Sequence, residues 1–138
     1  MQENEGEEPM KSPAQPVDLA RSYLLLNHHP VVMITSAANG RTNVMSASWV
    51  MPLDFDPPKV ALVVDGRSFT RELIEASGAQ ALNVPCPDLA AKVLAAGSIC
   101  GRDCDKFAQA GLDTFAASRI AAPLIGGCVA WLECRVIP

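Results

Sequence analysis

The chain has 138 residues, 49% hydrophobic and 19% charged, the balance of one globular domain long enough to bury a core rather than of a disordered or fibrous chain. Its net charge is −4, of which Glu3, Glu5, Glu7 and Glu8 against Lys11 account for −3, so the body is close to neutral. That excludes the basic face of a nucleic-acid binder, and no apolar run is long enough to span a membrane.

The acidic, Pro-rich segment 1–16 has neither signal-peptide nor transit-peptide character. It reads as a flexible tail ahead of a domain over 17–138, and the expected location is cytoplasmic. Asp18 to Asn27 has helical spacing, with Leu19, Tyr23 and Leu26 on one face, Asp18 as cap and His28-His29-Pro30 as the end. Val31 to Thr35 is a strand by β-branching, and the Asn-Gly of Ser36-Ala-Ala-Asn-Gly40 predicts a hairpin turn. The return strand, Asn43-Val-Met-Ser-Ala-Ser-Trp49, is unusual: an amide, two serines and an alanine stand where branched apolar residues would pack. Small residues there leave room for another strand or for a ligand.

Pro52 to Pro58 cannot be a central strand, because proline lacks the ladder donor, and it reads as a loop. Val60 to Val64 is a buried strand. Helix Arg71 to Ser77 follows, closed by Gly78, then strand Gln80 to Val84 stopped by Pro85. A second helix runs from Asp88, its expected cap, to Ala96 and ends at Gly97. A short third one covers Asp105 to Ala110, and Gly127 to Val136 is a long last strand. The pattern is mainly β with peripheral helices, a small barrel rather than a doubly wound sheet.

Five cysteines with irregular spacing and no export signal argue against a disulfide framework. Cys100 and Cys104 with His28 and His29 lack the paired spacing of a zinc site, and Cys128 and Cys134 read as buried, inert thiols. The G-x-G-x-x-G and P-loop phosphate motifs are absent, as are G-x-S-x-G and H-E-x-x-H. Asp54 and Asp56 are close enough to pair as carboxylates but are more simply turn residues.

Two stretches have the chemistry of a ligand site. Asp65-Gly-Arg-Ser-Phe-Thr70 places Arg67, Ser68 and Thr70 at the first turn of a helix, where free N–H groups, hydroxyls and a guanidinium suit a phosphate or carboxylate. Ordinary N-capping by Ser68 or Thr70 with Arg67 solvated is the alternative. In the strand before Trp49, alternation puts Asn43, Met45, Ala47 and Trp49 on one face and Val44, Ser46, Ser48 and Val50 on the other. Ser46 and Ser48 suit the polar edge of a ligand; solvent on an edge strand is the alternative, and by itself the more common case.

Pro30-Val-Val-Met-Ile-Thr35, Asn43 to Trp49, Phe55-Asp-Pro-Pro58, Gly66-Arg-Ser-Phe-Thr70, Ala81-Leu-Asn-Val-Pro85 and Asp105-Lys-Phe107, in that order, resemble the flavin reductase-like, FMN-binding split-barrel family, flavoredoxin-type members in particular. The resemblance implies a split β-barrel and a homodimer with FMN at the subunit interface. It implies that Asn43, Ser46, Ala47, Ser48 and Trp49 line the isoalloxazine and ribityl chain and that Arg67, Ser68 and Thr70 hold the phosphate. Cys100 to Phe107 is similar to the family's segment that closes over the flavin, in which Lys106 is either a phosphate contact or a surface charge.

The implied chemistry is hydride transfer from NADH or NADPH to flavin N5, which needs no protein acid, base or nucleophile. A non-catalytic FMN-binding electron carrier is the alternative, and a truncated dimerising domain without flavin is a third. Family members usually continue past the strand Cys128 to Val136, whereas this sequence stops at Pro138. The expectation is a short member or a fragment whose barrel is completed from elsewhere.

Overall fold

The computed structural model describes residues 31–137; the tail over 1–16, the helix Asp18 to Asn27 and the His28-His29 pair lie outside the described residues. β1 (Val32–Ala38) and β2 (Arg41–Ala47) form the expected hairpin. Asn39 and Gly40 both take positive φ, 51° and 71°, the conformation a two-residue turn needs to follow the twist of its strands.

β3 (Val50–Phe55) and β4 (Pro58–Leu62) pair as a separate antiparallel ribbon where the prolines predict a loop. The proline rule bars a central strand, and a two-stranded ribbon has none. A register shift between Pro52 and Asp54 marks where the ladder gives way.

α1 (Phe69–Ser77) starts at Ser68, whose Oγ accepts from Arg71 N at 3.1 Å, and ends at Gly78, whose left-handed φ of 66° lets its N–H reach Ile74 O at 2.7 Å. β5 (Ala79–Pro85) leads into a 3-10 turn, Pro87–Leu89, and then α2 (Ala90–Ser98). Asp88 therefore lies in the turn and caps nothing, and Gly97 lies inside the helix instead of ending it. The reason is packing: a Cβ on Gly97 would sit 3.3 Å from Ser46 Cβ, so glycine lets α2 lie close against β2. α3 (Lys106–Gln109) begins at Asp105, whose carboxylate accepts from the N–H groups of Phe107 and Ala108 at 2.9 and 3.2 Å. β6 (Thr114–Phe115) and β7 (Leu124–Ile125), too short to carry a periodic signal, make a small ribbon before β8 (Cys128–Arg135).

The main sheet has the order β2-β1-β5-β8, with every neighbour antiparallel. It separates two cores. Met33 and Val44 face α2, α3 and β7, packing with Leu89, Phe107 and Ile125. Val32, Ile34 and Ala47 face the other way, onto α1 and the β3–β4 ribbon, with Ile74 and Leu82. β1 and β5 are covered on both sides, while β2 and β8 are edges, and the sheets do not close into a cylinder.

Asn83 is the largest of the fully buried polar side chains of this sheet, with Thr35 and Ser36 beside it in β1. Asn83 donates through Nδ2 to Met33 O at 3.0 Å and to Thr35 Oγ1 at 3.3 Å, and its Oδ1 accepts from Ile125 N at 2.9 Å. It ties β5 to β1 and to β7 at once. Asn83→Ala strands those partners in the core and should cost about 2–3 kcal/mol, read as a lower urea midpoint at unchanged m-value. An unchanged midpoint would show that the network carries no stability.

Candidate functional site

The polar groups converge where the edge strand β2 meets the start of α1. Asn43 is 3% exposed and donates through Nδ2 to Thr70 Oγ1 at 2.8 Å, inside the first turn of α1. Its Oδ1 is buried with no hydrogen-bond partner. Gly101 lies directly over it: a Cβ there would fall 2.0 Å from Asn43 Oδ1 and 3.0 Å from Lys106 Cδ. Only glycine fits that position, and its contacts join the Cys100-to-Phe107 loop to Asn43.

Lys106 is 5% exposed, so it is not a surface charge. No carboxylate among the described residues pairs with it. Burial pulls its pKa below the usual lysine value, and the nearby thiols Cys100 and Cys104 act in the opposite sense. A buried ammonium with no carboxylate partner is costly unless an anion completes it.

Around this corner lies a cationic rim. Arg41 places its guanidinium 4.2 Å from the centre of the Phe69 ring, with Arg102 at 5.5 Å from the same ring. Such stacking holds a guanidinium in place while leaving its donors open. Arg102 is also bound to Glu72 at 2.6 Å and donates to Arg67 O at 3.3 Å, and Arg41 donates to Arg102 O. Sequence reading missed Arg41, Arg102 and Gly101. Arg41 follows the hairpin turn and Arg102 lies in a loop, and neither position carries a local signal.

Of the residues singled out in the Asp65-to-Thr70 turn, Ser68 is the N-cap and Thr70 is the buried partner of Asn43. The Arg67 side chain is 94% exposed and sits 3.5 Å from Asp65. Its N–H goes to Asp65 Oδ1 at 2.7 Å and that of Ser68 to Asp65 O at 3.0 Å. The N–H groups of Phe69 and Thr70 have no acceptor among the described residues, which leaves the positive end of α1 open.

The remaining residues of the β2 stretch diverge. Ala47 is buried on the α1 side in the core. Ser46 points to the opposite face and donates to Val93 O at 2.6 Å. There it lines a mostly apolar cavity of about 600 Å³ with Pro85, Cys86, Val93, Leu94 and Gly97. Ser48 and Trp49 form the link between β2 and β3, Trp49 being 46% exposed with its carbonyl accepting from Val63 N at 3.1 Å. The structure thus joins Asn43, Ser68, Thr70 and Lys106 at one corner and sets Ser46 across the sheet.

Asp54 lies in β3 and pairs across the ribbon with Lys59 of β4 at 2.7 Å, while Asp56 is in the turn, so the two are neither a carboxylate pair nor both turn residues. No group of metal ligands occurs among the described residues. No described helix is long and apolar enough to cross a membrane. Burial raises the Cys128 and Cys134 thiols, which fits inert cysteines.

Residues 25–138 match the flavin reductase like domain family. The uncharacterized protein YddH of Escherichia coli is 42% identical over 126 residues, which make up 89% of this chain and 67% of that one. The FMN-binding domain of a flavin reductases-like enzyme from Shewanella baltica has 39% identity and a TM-score of 0.76, covering 88% of this chain and 64% of its own. The flavoredoxin of Desulfovibrio vulgaris has 25% identity and the same TM-score of 0.76, covering 80% and 61%. The chain therefore spans about two thirds of the length of these relatives. The open sheets are those of a flavin reductase-like split barrel, as the sequence implied.

Lys106 gives a direct test of the site's cost. Below its unfolded pKa the unfolded chain holds this proton more tightly than the folded protein does, so its burial opposes folding at neutral pH. Stability regained from this group rises with pH between the lowered folded pKa and the unfolded value. Lys106→Met should raise stability by about 1 kcal/mol at pH 7 and flatten that rise, in urea titrations from pH 7 to 10. A variant less stable than the parent at pH 7 would contradict an uncompensated buried ammonium.

Proposed function

Because the chain belongs to the flavin reductase-like domain family, we propose that it is an FMN-binding oxidoreductase, a flavin reductase using NADH or NADPH, with the phosphate end of FMN held at the Asn43–Lys106 corner. The observation that carries this reading is the buried Lys106, which no carboxylate among the described residues pairs, held in the loop that packs over Asn43. A phosphate is the anion that Lys106 lacks, while Gly101 itself covers the amide oxygen, so the fit to FMN rests on its phosphate. The open N-terminus of α1 adds attraction for the same phosphate.

Lys106, Thr70, Ser68 and Arg67 hold the anion in this reading, and Arg41 and Arg102 raise the local potential that draws it in. Ala47, Ser48 and Trp49 flank the ring along the edge of β2, whose outer backbone groups have no strand neighbour among the described residues. Ser46, already bound to Val93 O, positions α2 against the strand. Bound FMN supplies the two-electron chemistry, and the protein supplies orientation and charge.

The β3–β4 ribbon exposes Met51, Leu53 and Phe55, the last at 97%, beside Trp49 and Val63. An apolar patch of this kind supports the homodimer reading, with the partner subunit covering the ribbon. The likeness to the flavin reductases-like enzyme of Shewanella baltica, at 39% identity against 25% for the flavoredoxin, supports the NAD(P)H reductase reading over a pure electron carrier.

Purified protein mixed with FMN and passed through a desalting column should keep the flavin absorption bands. Lys106→Met should lose them, and the parent should consume NADH or NADPH with FMN present. Retained flavin with no nicotinamide consumption would make the protein a carrier, and no flavin at any concentration would overturn the FMN site.

A further inference from the structure

We propose that Cys100 and Cys104 form an oxidisable dithiol whose closure to a disulfide, driven by a hydroperoxide, loosens the Asn43–Lys106 corner. Three observations meet in this loop. Cys100 is exposed and Cys104 half-buried, and all five cysteines are free thiols. The Cys104 thiol donates to Cys100 O at 3.0 Å. Since a carbonyl oxygen lies about 2.4 Å from its own Cα, Sγ of Cys104 lies at most about 5.4 Å from Cys100 Cα, so the two residues are neighbours and closure to a disulfide needs only a small contraction of the loop.

The third observation is the buried Lys106. Lys106 follows Cys104 by two residues and a Cβ on Gly101, between the two cysteines, would sit 3.0 Å from its Cδ, so its charge lies in the same loop as both sulfurs. The other cysteines differ: Cys128 is buried, and burial holds both it and Cys134 in the thiol form. The pair in the loop combines access, proximity and a cation.

The step balances as follows. The Cys100 thiolate attacks one oxygen of hydrogen peroxide; an S–O bond forms, the O–O bond breaks, and the departing hydroxide takes a proton to leave as water. The Cys104 thiolate then attacks the sulfenic sulfur, forming S–S and releasing the second oxygen as water. Two thiols lose two electrons, and one peroxide gains them.

Closure acts on the site through Gly101, which lies between the two cysteines in sequence and has no spare room over Asn43 and Lys106. Arg102, in the same ring, is the residue tied to Glu72 and Arg67 O. Contracting the loop must disturb these contacts. The oxidation itself is independent of any flavin, whereas its effect on affinity rests on the FMN reading above.

The test uses the full chain, treated with hydrogen peroxide and then digested under non-reducing conditions. The expected result is a mass loss of two hydrogens in the peptide carrying Cys100 and Cys104, reversed by dithiothreitol. In Cys104→Ser, dimedone should instead trap Cys100 as a sulfenic acid, and Cys134→Ser should behave as the parent. FMN affinity of the oxidised parent should fall about tenfold, the loss of roughly one charge-assisted contact, with no change in peroxide-treated Cys100→Ser. Oxidation spread over other cysteines, or no disulfide in this peptide, overturns the dithiol. A disulfide with unchanged FMN affinity overturns the coupling to the corner. No FMN binding in either state defeats the FMN reading and the coupling with it, and leaves the dithiol to be judged by mass alone.

Discussion

The hydrogen bond from Asn43 Nδ2 to Thr70 Oγ1 fixes the geometry on which the site depends. It joins the edge strand of the main sheet to the first turn of α1, and both side chains are almost fully buried. In that setting neither can exchange its partner for water without a large desolvation cost. The bond therefore sets where the open end of α1 lies relative to β2. It also turns the second polar atom of Asn43 toward Gly101, so the loop carrying Lys106 must pass over it with no side chain in the way.

That arrangement sacrifices stability for binding. A buried ammonium and an orphaned carbonyl oxygen each oppose folding, and the sheet offsets them elsewhere, through two cores on opposite faces and the Asn83 network between its central strands. An ammonium without a carboxylate partner, held in the loop that packs over Asn43 beside the open end of α1, marks the place where a ligand enters the balance. The cationic rim of Arg41 and Arg102 on Phe69 extends the attraction outward, while the thiol pair places a chemically reactive group in the same loop.

Much of this was legible in the sequence because it rests on local rules. The Asn39-Gly40 turn, the Gly78 helix end and the short helix after Asp105 are decided by backbone conformation within a few residues. The composition of β2, too small and polar for a packing strand, pointed to Asn43 and the residues after it. What stayed hidden depends on residues distant in the chain. Gly97 reads as a helix end until Ser46, across the sheet, shows why it lies inside α2. The Pro52-to-Pro58 ribbon survives because it has no central strand. Ser46 and Asn43 look alike in a list of polar strand residues, yet alternation and the helices on either face send them to different environments. Lys106 is ambiguous in the sequence because nothing local reveals that Gly101 and Asn43 bury it.

The central claim is that this corner recognises the phosphate of FMN, and its most direct test is to compare the affinities of FMN and riboflavin, which differ only by that phosphate, using quenching of flavin fluorescence. The account predicts that the protein binds FMN about a hundredfold more tightly, a gap of two charge-assisted contacts, and that the gap largely closes in Lys106→Met. Equal affinities for the two flavins in the parent protein would contradict it.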